Sequence, residues 1–309
     1  MVTKKEFYFP SSDGHTRLHA AEWRPGGSVS AIVQIAHGVG EYVLRYEPFA
    51  AYLAEHGFIV IGNDHIGHGL SRSEDSAPLY FGSEDGWNHV AEDLFTLRNL
   101  AAARHPELPI LLLGHSMGSF LARTYLIRHP GTVRAAILMG TGQPAPAAVA
   151  GGRAVARHEG RRLGYDHYSA RVDRLSFRAY NRAFAPNRTD FDWLSTNPDN
   201  VDAHINDPLC GDPATIGLFQ DMLGGIAFLT RRKNLRKMDM NTPVLFISGL
   251  DDPVGDMGQG VIRAYESFLR AGVQDADLKL YPGMRHEILF ETDYKRVYTD
   301  LLMWIRRHM

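Results

Sequence analysis

Residues 109–123 read PILLLGHSMGSFLAR, and this run decides how the rest of the chain is read. Residues 110–113 are four apolar positions without alternation, the pattern of a strand buried on both faces of a parallel sheet. Phe120, Leu121, Thr124 and Tyr125 then recur at spacings that share one side of a helix. Between them, Gly114-His115-Ser116-Met117-Gly118 is predicted to turn sharply, with glycines on either side of the serine removing side chains that would collide. Such a turn presents Ser116 as a nucleophile. It also offers the Met117 N–H and the positive end of a helix to an anion forming beside it.

Working outward, the 309 residues are 44% hydrophobic, enough for one large α/β domain with an insertion or for two domains. A formal charge of -2 carries no excess suited to a polyanion, so no nucleic-acid partner is expected. The single cysteine, Cys210, excludes an internal disulfide and is read as a packing residue in a reducing compartment. The opening MVTKKEFYFPSSDG has lysines without an apolar core behind them, unlike a signal peptide, and no 18 apolar residues run together as a membrane span would. A cytoplasmic location is the expectation. Asp64, His65 and His68 sit in a loop without a metal-ligand motif such as H-E-x-x-H or C-x-x-C, and are read as hydrogen-bonding turn residues rather than metal ligands.

Strands are predicted over 6–9 and 17–23 as a hairpin, then over 31–36, 58–61, 110–113 and 135–139, with helices over 45–56 and 87–104 between them. Ser83 and Asp85 stand where they would cap the second of these helices. This alternation implies a mostly parallel sheet of eight strands with helices on both faces. It stops over 141–239, which reads as an inserted, mainly helical cap. Within the insertion, a helix over 215–229 carries Ile216, Phe219, Leu223 and Ile226 on one face. Its Gly224-Gly225 pair costs about 1 kcal/mol per glycine against alanine, which a close approach, a hinge or a tightly packed helix crossing would each explain. Sheet grammar returns with strands over 243–247 and 278–281 and helices over 259–271 and 294–307.

Ligands of parallel α/β sheets bind outside the carboxyl ends of the strands. Ser116, Asp252 and His286 each follow a predicted strand end, in the order Ser, Asp, His, 136 residues (252 minus 116) and 34 residues (286 minus 252) apart. That order is the one found in α/β-hydrolases. A serine hydroxyl attacks well only when a neutral imidazole takes its proton, and a carboxylate sets the imidazole tautomer. His286 is therefore read as general base and Asp252 as its orienting acid. Asp251 and Asp256 compete with Asp252, which is preferred because Pro253 fixes the turn after it. His37 competes with His286, but precedes a Gly-rich turn where backbone N–H groups are more useful. The Val39 and Met117 N–H groups are assigned to an oxyanion hole.

With these residues in hand, the segments HGVGEYVLRYEPFAAYL, NDHIGHGLS, GHSMG, GLDDPV and GMRHE resemble the monoacylglycerol lipase and lysophospholipase branch of the serine α/β-hydrolases, often grouped as serine aminopeptidase-like. The resemblance implies a hydrolase core over 1–140 and 240–309, a cap or lid over 141–239, and hydrolysis of carboxylic esters through an acyl-enzyme, without cofactor or metal. It carries Ser116, Asp252, His286, Val39 and Met117 into the same roles. Gly38, His115, Phe219 and Ile226 are expected to contact substrate, an ester or monoacyl lipid held partly by the apolar cap helix. The cap is expected to touch a membrane surface only transiently, in a monomer or homodimer. An aminopeptidase reading needs cap carboxylates for the substrate ammonium, with Glu159, Asp173, Asp190 and Asp192 as candidates. A non-catalytic binding protein has no need of all three triad groups, and haloalkane or epoxide chemistry would put a carboxylate where Ser116 stands.

Overall fold

A computed structural model describes the backbone of residues 1–309 and all side chains except those of residues 177 and 178. The sheet has eight strands in the order β1-β2-β4-β3-β5-β6-β7-β8: β1 Thr3–Pro10, β2 Arg17–Arg24, β3 Ala31–Ala36, β4 Phe58–Asn63, β5 Ile110–His115, β6 Ala135–Met139, β7 Val244–Gly249 and β8 Ala276–Tyr281. β1 and β2 form the antiparallel hairpin expected around the turn at residues 11–14, and β2 pairs antiparallel with β4. Every pairing from β4 to β8 is parallel.

The central strands are mostly apolar because both faces are covered; the one polar side chain in the middle of β3, Gln34, donates to Leu94 O at 2.9 Å. Ile110 and Leu112 of β5 face one core layer with Leu94, Leu121 and Phe268, while Leu111 and Leu113 face another with Phe49, Leu301 and Ile305. The first layer is closed by α2 (Gly86–Arg104), α3 (Met117–Arg128) and α10 (Gln259–Ala271), the second by α1 (Glu47–Glu55) and α11 (Tyr294–His308). Burying such a side chain is worth about 1.5–3 kcal/mol. A one-residue slip of β5 would exchange the two sets, so the register Leu111↔Ala135 to His115↔Met139 is tightly specified.

Several element ends differ from the pattern-based expectation. Residues 43–46 form a tight 3-10 turn ahead of α1, where a single helix from residue 45 was expected. Asp85 does not cap α2 with its side chain; it adopts φ 51°, and its carboxylate instead accepts the Asn88 amide at 2.5 Å.

The insertion between β6 and β7 is mainly helical: α4 Pro146–Leu163, α5 Ala170–Leu175, α6 Phe177–Tyr180, α7 Pro198–Asn206, α8 Ile216–Leu229 and α9 Arg232–Leu235. Thr215 starts α8 by accepting the Leu218 N–H at 3.1 Å. The Gly224-Gly225 pair resolves into one close approach: a Cβ on Gly225 would lie 2.1 Å from the Trp87 indole, whereas Gly224 meets nothing within 4 Å. Among the described residues, no helix is long and apolar enough to cross a membrane.

Candidate active site

β5 delivers Ser116 to the carboxyl edge of the sheet. Its backbone adopts φ 52°, ψ −118°, and its N–H donates to Met139 O on neighbouring β6 at 2.9 Å. A non-glycine residue at positive φ stores of order 1–3 kcal/mol of strain, held here by the strand before it and the helix after it. The flanking glycines have a steric cause. A Cβ on Gly118 would stand 2.0 Å from Ala36 O, and one on Gly114 2.3 Å from Gly118 O. Either would force β5, α3 and the end of β3 apart.

Asp252 lies in the turn after β7 and His286 in the turn after β8, and both are buried. His286 Nδ1 and Asp252 Oδ2 are 2.9 Å apart. Ser248 Oγ also donates to Oδ2 at 3.0 Å, and the Val254 N–H donates to Oδ1 at 2.9 Å, so the carboxylate is held at both oxygens. Of its two rivals, Asp256 pairs with Arg263 at the surface, and Asp251 is only half-buried. With Nδ1 engaged, His286 has Nε2 left for the cavity that it lines together with Ser116. Trp193 of the insertion packs on the imidazole with ring centroids 5.1 Å apart.

The turn after β3 lies against Ser116: a Cβ on Gly38 would be 3.1 Å from Ser116 Cβ. The Gly38 N–H is spent on Glu41 Oε1 at 2.6 Å. Val39 and Met117 line the cavity beside Ser116. His37 is no base for this serine; its Nδ1–H donates to Gly38 O at 2.7 Å and its Nε2 accepts the His65 N–H at 2.9 Å.

Below the site runs a buried charge network to which the sequence reading gave no role. Glu41 Oε1 accepts from Gly38 N–H, from Tyr46 OH at 2.8 Å and from His115 Nδ1 at 3.0 Å. Arg45 Nη1 donates to Glu41 Oε2 and Glu287 Oε1, each at 2.8 Å, and Asn200 of α7 donates to Glu287 Oε2 at 2.6 Å. Burial alone would raise the Glu41 carboxyl, but His115 and Arg45 outweigh it and hold it well below the carboxylate range. Burial likewise opposes a charge on His115, yet the Glu41 hydrogen bond and charge raise it above the ordinary imidazole value. Two carboxylates thus face the Arg45 guanidinium and the His115 imidazole. His115, expected to contact substrate, borders the small cavity and is spent mainly on Glu41. Glu41, Arg45 and Glu287 all fall inside the segments that suggested the family, but charged residues 242 positions apart leave no local pattern.

Two cavities meet at Val39 and Ser116. One, of about 800 Å³, is lined largely by apolar groups including Phe120, Val149, Phe219, Met222, Leu223 and Ile226. The other, of about 180 Å³, is more polar and includes Gly38, Glu41, His115, Trp193, His204 and His286. Phe219 and Ile226 therefore border the large cavity, Gly38 and His115 the small one. Of the insertion carboxylates, Asp173 and Asp190 line the small cavity. Glu159 pairs with Arg162 and Ser169, and Asp192 closes a turn with Arg188 and Thr189.

Residues 27–293 match the hydrolase family described as serine aminopeptidase, S33. The chain belongs to this family. Among its similar proteins are a monoacylglycerol lipase of Mycolicibacterium smegmatis, 30% identical over 99% of both chains, and the monoglyceride lipase of Homo sapiens, 28% identical over 93% of this chain and 86% of that one. The crystal structure of a thermostable carboxyl esterase from Bacillus coagulans, in complex with glycerol, superposes with a TM-score of 0.91 at 29% identity, covering 99% of each chain. This S33 member accordingly has the α/β-hydrolase fold, with the mostly parallel eight-stranded sheet expected from the strand pattern. Peptidases give the family its description, but these relatives are lipases and esterases.

Proposed function

We propose that this chain is a carboxylic ester hydrolase of the monoacylglycerol lipase and lysophospholipase kind, acting through an acyl-enzyme on Ser116. The observation that carries the substrate class is the large apolar cavity ending at Ser116. A chain of methylenes gains about 0.8 kcal/mol per CH₂ buried there. Residues 141–239 act as the cap, with α4, α5 and α8 each contributing to that cavity. Leu163 and Leu175, exposed on the cap, offer apolar points for transient contact with a lipid surface.

In acylation, His286 Nε2 takes the Ser116 hydroxyl proton as Oγ bonds to the ester carbonyl carbon. Asp252 stabilises the imidazolium through Nδ1, and the Val39 and Met117 N–H groups receive the oxyanion. Collapse of the tetrahedral intermediate expels the alcohol, which leaves with the proton from His286. Water then repeats the sequence on the acyl-enzyme and releases the fatty acid. Ester cleavage is favoured over aminopeptidase action by the character of the relatives and by an acyl-sized apolar cavity. Replacing Ser116 by alanine tests the reading: p-nitrophenyl ester and monoacylglycerol hydrolysis is expected to vanish while the melting temperature holds. Near wild-type activity in that variant, or cleavage of aminoacyl anilides in preference to esters by the native chain, refutes it.

A further inference from the structure

At the end of β8 opposite the turn that carries His286, three ligand-type side chains converge. One atom each of Asp275, Asp277 and His308 lies within 4.8 Å of the others. The fold gathers them for local reasons. Asp277 stands beside Leu245 of β7, which faces the core layer covered by α11, so it points at that helix, and Asp275 occupies the bend just before the strand. Trp304 and His308, four positions apart, share the buried face of the last turn of α11.

Two of the three side chains are held in place by a neighbour. His308 Nδ1–H donates to Trp304 O at 2.8 Å, which fixes the tautomer: the neutral ring carries its lone pair on Nε2. The Trp304 indole lies against the imidazole with centroids 4.2 Å apart, and its Nε1–H donates to Asp277 Oδ2 at 2.8 Å. Hydrogen bonds of this kind, to a carbonyl and to a carboxylate, are what orient the ligands of a metal ion.

The His308 side chain is 8% exposed, and its Nε2 faces Asp275 Oδ2 at 3.3 Å. A lone pair and a carboxylate oxygen are both acceptors, so the contact needs a cation. A proton on Nε2 would balance one carboxylate, but two converge here, and among the described residues neither is paired with a lysine or arginine. A divalent ion balances both. Donors bound at 2.0–2.1 Å to a tetrahedral Zn²⁺ stand about 3.3 Å apart, the separation that His308 and Asp275 already have.

We propose that Asp275, Asp277 and His308 bind a structural divalent transition-metal ion that fastens the last turn of α11 to the start of β8. One imidazole nitrogen and two carboxylate oxygens suit Zn²⁺, with water in the fourth position; Ca²⁺ and Mg²⁺ call for more oxygen ligands. The site is remote from the candidate triad, since four residues of strand, about 13 Å, separate Asp277 from Tyr281, where the turn to His286 begins. It stands independently of the ester-hydrolase reading.

The test strips the full chain with EDTA and titrates it with Zn²⁺, with Mg²⁺ and Ca²⁺ in parallel. One equivalent of Zn²⁺ should bind by calorimetry, raise the melting temperature by about 3–6 °C at a hundredfold excess over its dissociation constant, and slow amide hydrogen exchange in the last turn of α11. Co²⁺ in its place should show the intense visible absorption of a tetrahedral ion. His308→Gln should abolish all of these responses. Asp275→Asn, at an exposed position, should weaken Zn²⁺ binding at least tenfold, and carries the comparison if the His308 variant does not fold. Zn²⁺ that binds equally well to either folded variant, or that binds the native chain without protecting α11, overturns the proposal and leaves His308 and Asp275 joined by a proton. An equal response to Ca²⁺ or Mg²⁺ overturns the choice of a transition metal.

Discussion

Replacing Asp252 by asparagine separates the chemistry of the candidate site from its architecture. The native carboxylate accepts three hydrogen bonds: from Val254 N–H at Oδ1, and from His286 Nδ1 and Ser248 Oγ at Oδ2. An asparagine can keep the Val254 bond only by putting its carbonyl oxygen at the Oδ1 position, which leaves its NH₂ facing His286. Ser248 adapts, since its hydroxyl can accept where it had donated. His286 cannot adapt without cost. Its Nδ1 must now accept a hydrogen bond, so the ring proton moves to Nε2, the nitrogen proposed to take the proton from Ser116. The wrong tautomer in a serine triad lowers turnover by about 10⁴, equivalent to about 5.5 kcal/mol of transition-state stabilisation. Backbone geometry and burial are unchanged, so the melting temperature should move little. The assay is kcat/KM for p-nitrophenyl butyrate at pH 8, read beside a thermal melt. A loss smaller than tenfold in a folded variant would refute the assignment of Asp252 as the group that orients His286. A loss that merely tracks unfolding would show that its hydrogen bonds are architectural.

Two further outcomes follow from buried charge. Arg45→Met leaves the Glu41 and Glu287 carboxylates facing each other with their shared cation gone; breaking a buried pair costs about 3–5 kcal/mol, so the melting temperature should fall by about 5–10 °C. Adding Glu287→Gln should cost less than the sum of the two single changes, and strict additivity in calorimetry would disprove the coupling. His37, His65 and His68 lie with ring centroids 4.0–6.2 Å apart, and each donates one ring N–H to a backbone carbonyl. Burial, with mutual repulsion and Arg72 near His68 outweighing the Asp64 and Glu41 carboxylates, holds all three below the ordinary histidine value, His68 at about 3. Their folded forms bind fewer protons than the unfolded chain, so their contribution is intact above about pH 6.5 and is lost as pH falls towards the folded values. For His68 alone the loss at pH 5 is about 2 kcal/mol. Melting temperatures should fall between pH 7 and pH 5, and His68→Asn should flatten that slope; an unchanged slope would exclude His68 as its source.

The five strands β3 to β7 were legible because they are buried on both faces and bounded by turn residues, so each appears as a short, mostly apolar run, whereas β1 and β8 at the sheet edges are exposed or half-buried. The three strand-end residues Ser116, Asp252 and His286 were legible for the same reason: topology brings strand ends together. The bounds of α10 over 259–271 were read from Gly272, which adopts φ 117° and ends the helix. α4 was not recognised as a helix of 18 residues, since its buried residues are Val149, Ala156, Glu159 and Gly160, with Gly152 half-buried on the same side. Leu223 and Tyr165 come so close that a Cβ on Gly152 or Gly160 would stand 3.0 or 2.4 Å from them, and small residues write no hydrophobic stripe. The charge network was hidden for a different reason. Glu41, Arg45 and Glu287 look like surface residues until three distant turns and α7 enclose them.

That enclosure makes the floor of the site a record of how far folding has gone. Arg45 meets Glu287 across 242 positions and Asn200 across 155, and His115 meets the His286 carbonyl across 171. Contacts of such separation are entropically the slowest to close. Helices and the local β1–β2 hairpin can form while Arg45 still has no carboxylate beyond Glu41. Only when the last strand and the turn carrying residues 286 and 287 dock does the guanidinium gain its second partner and the imidazole its place beside Ser116. In the proposed mechanism this reserves ester hydrolysis for the completed chain, because a partly folded molecule holds Ser116 without His286 beside it.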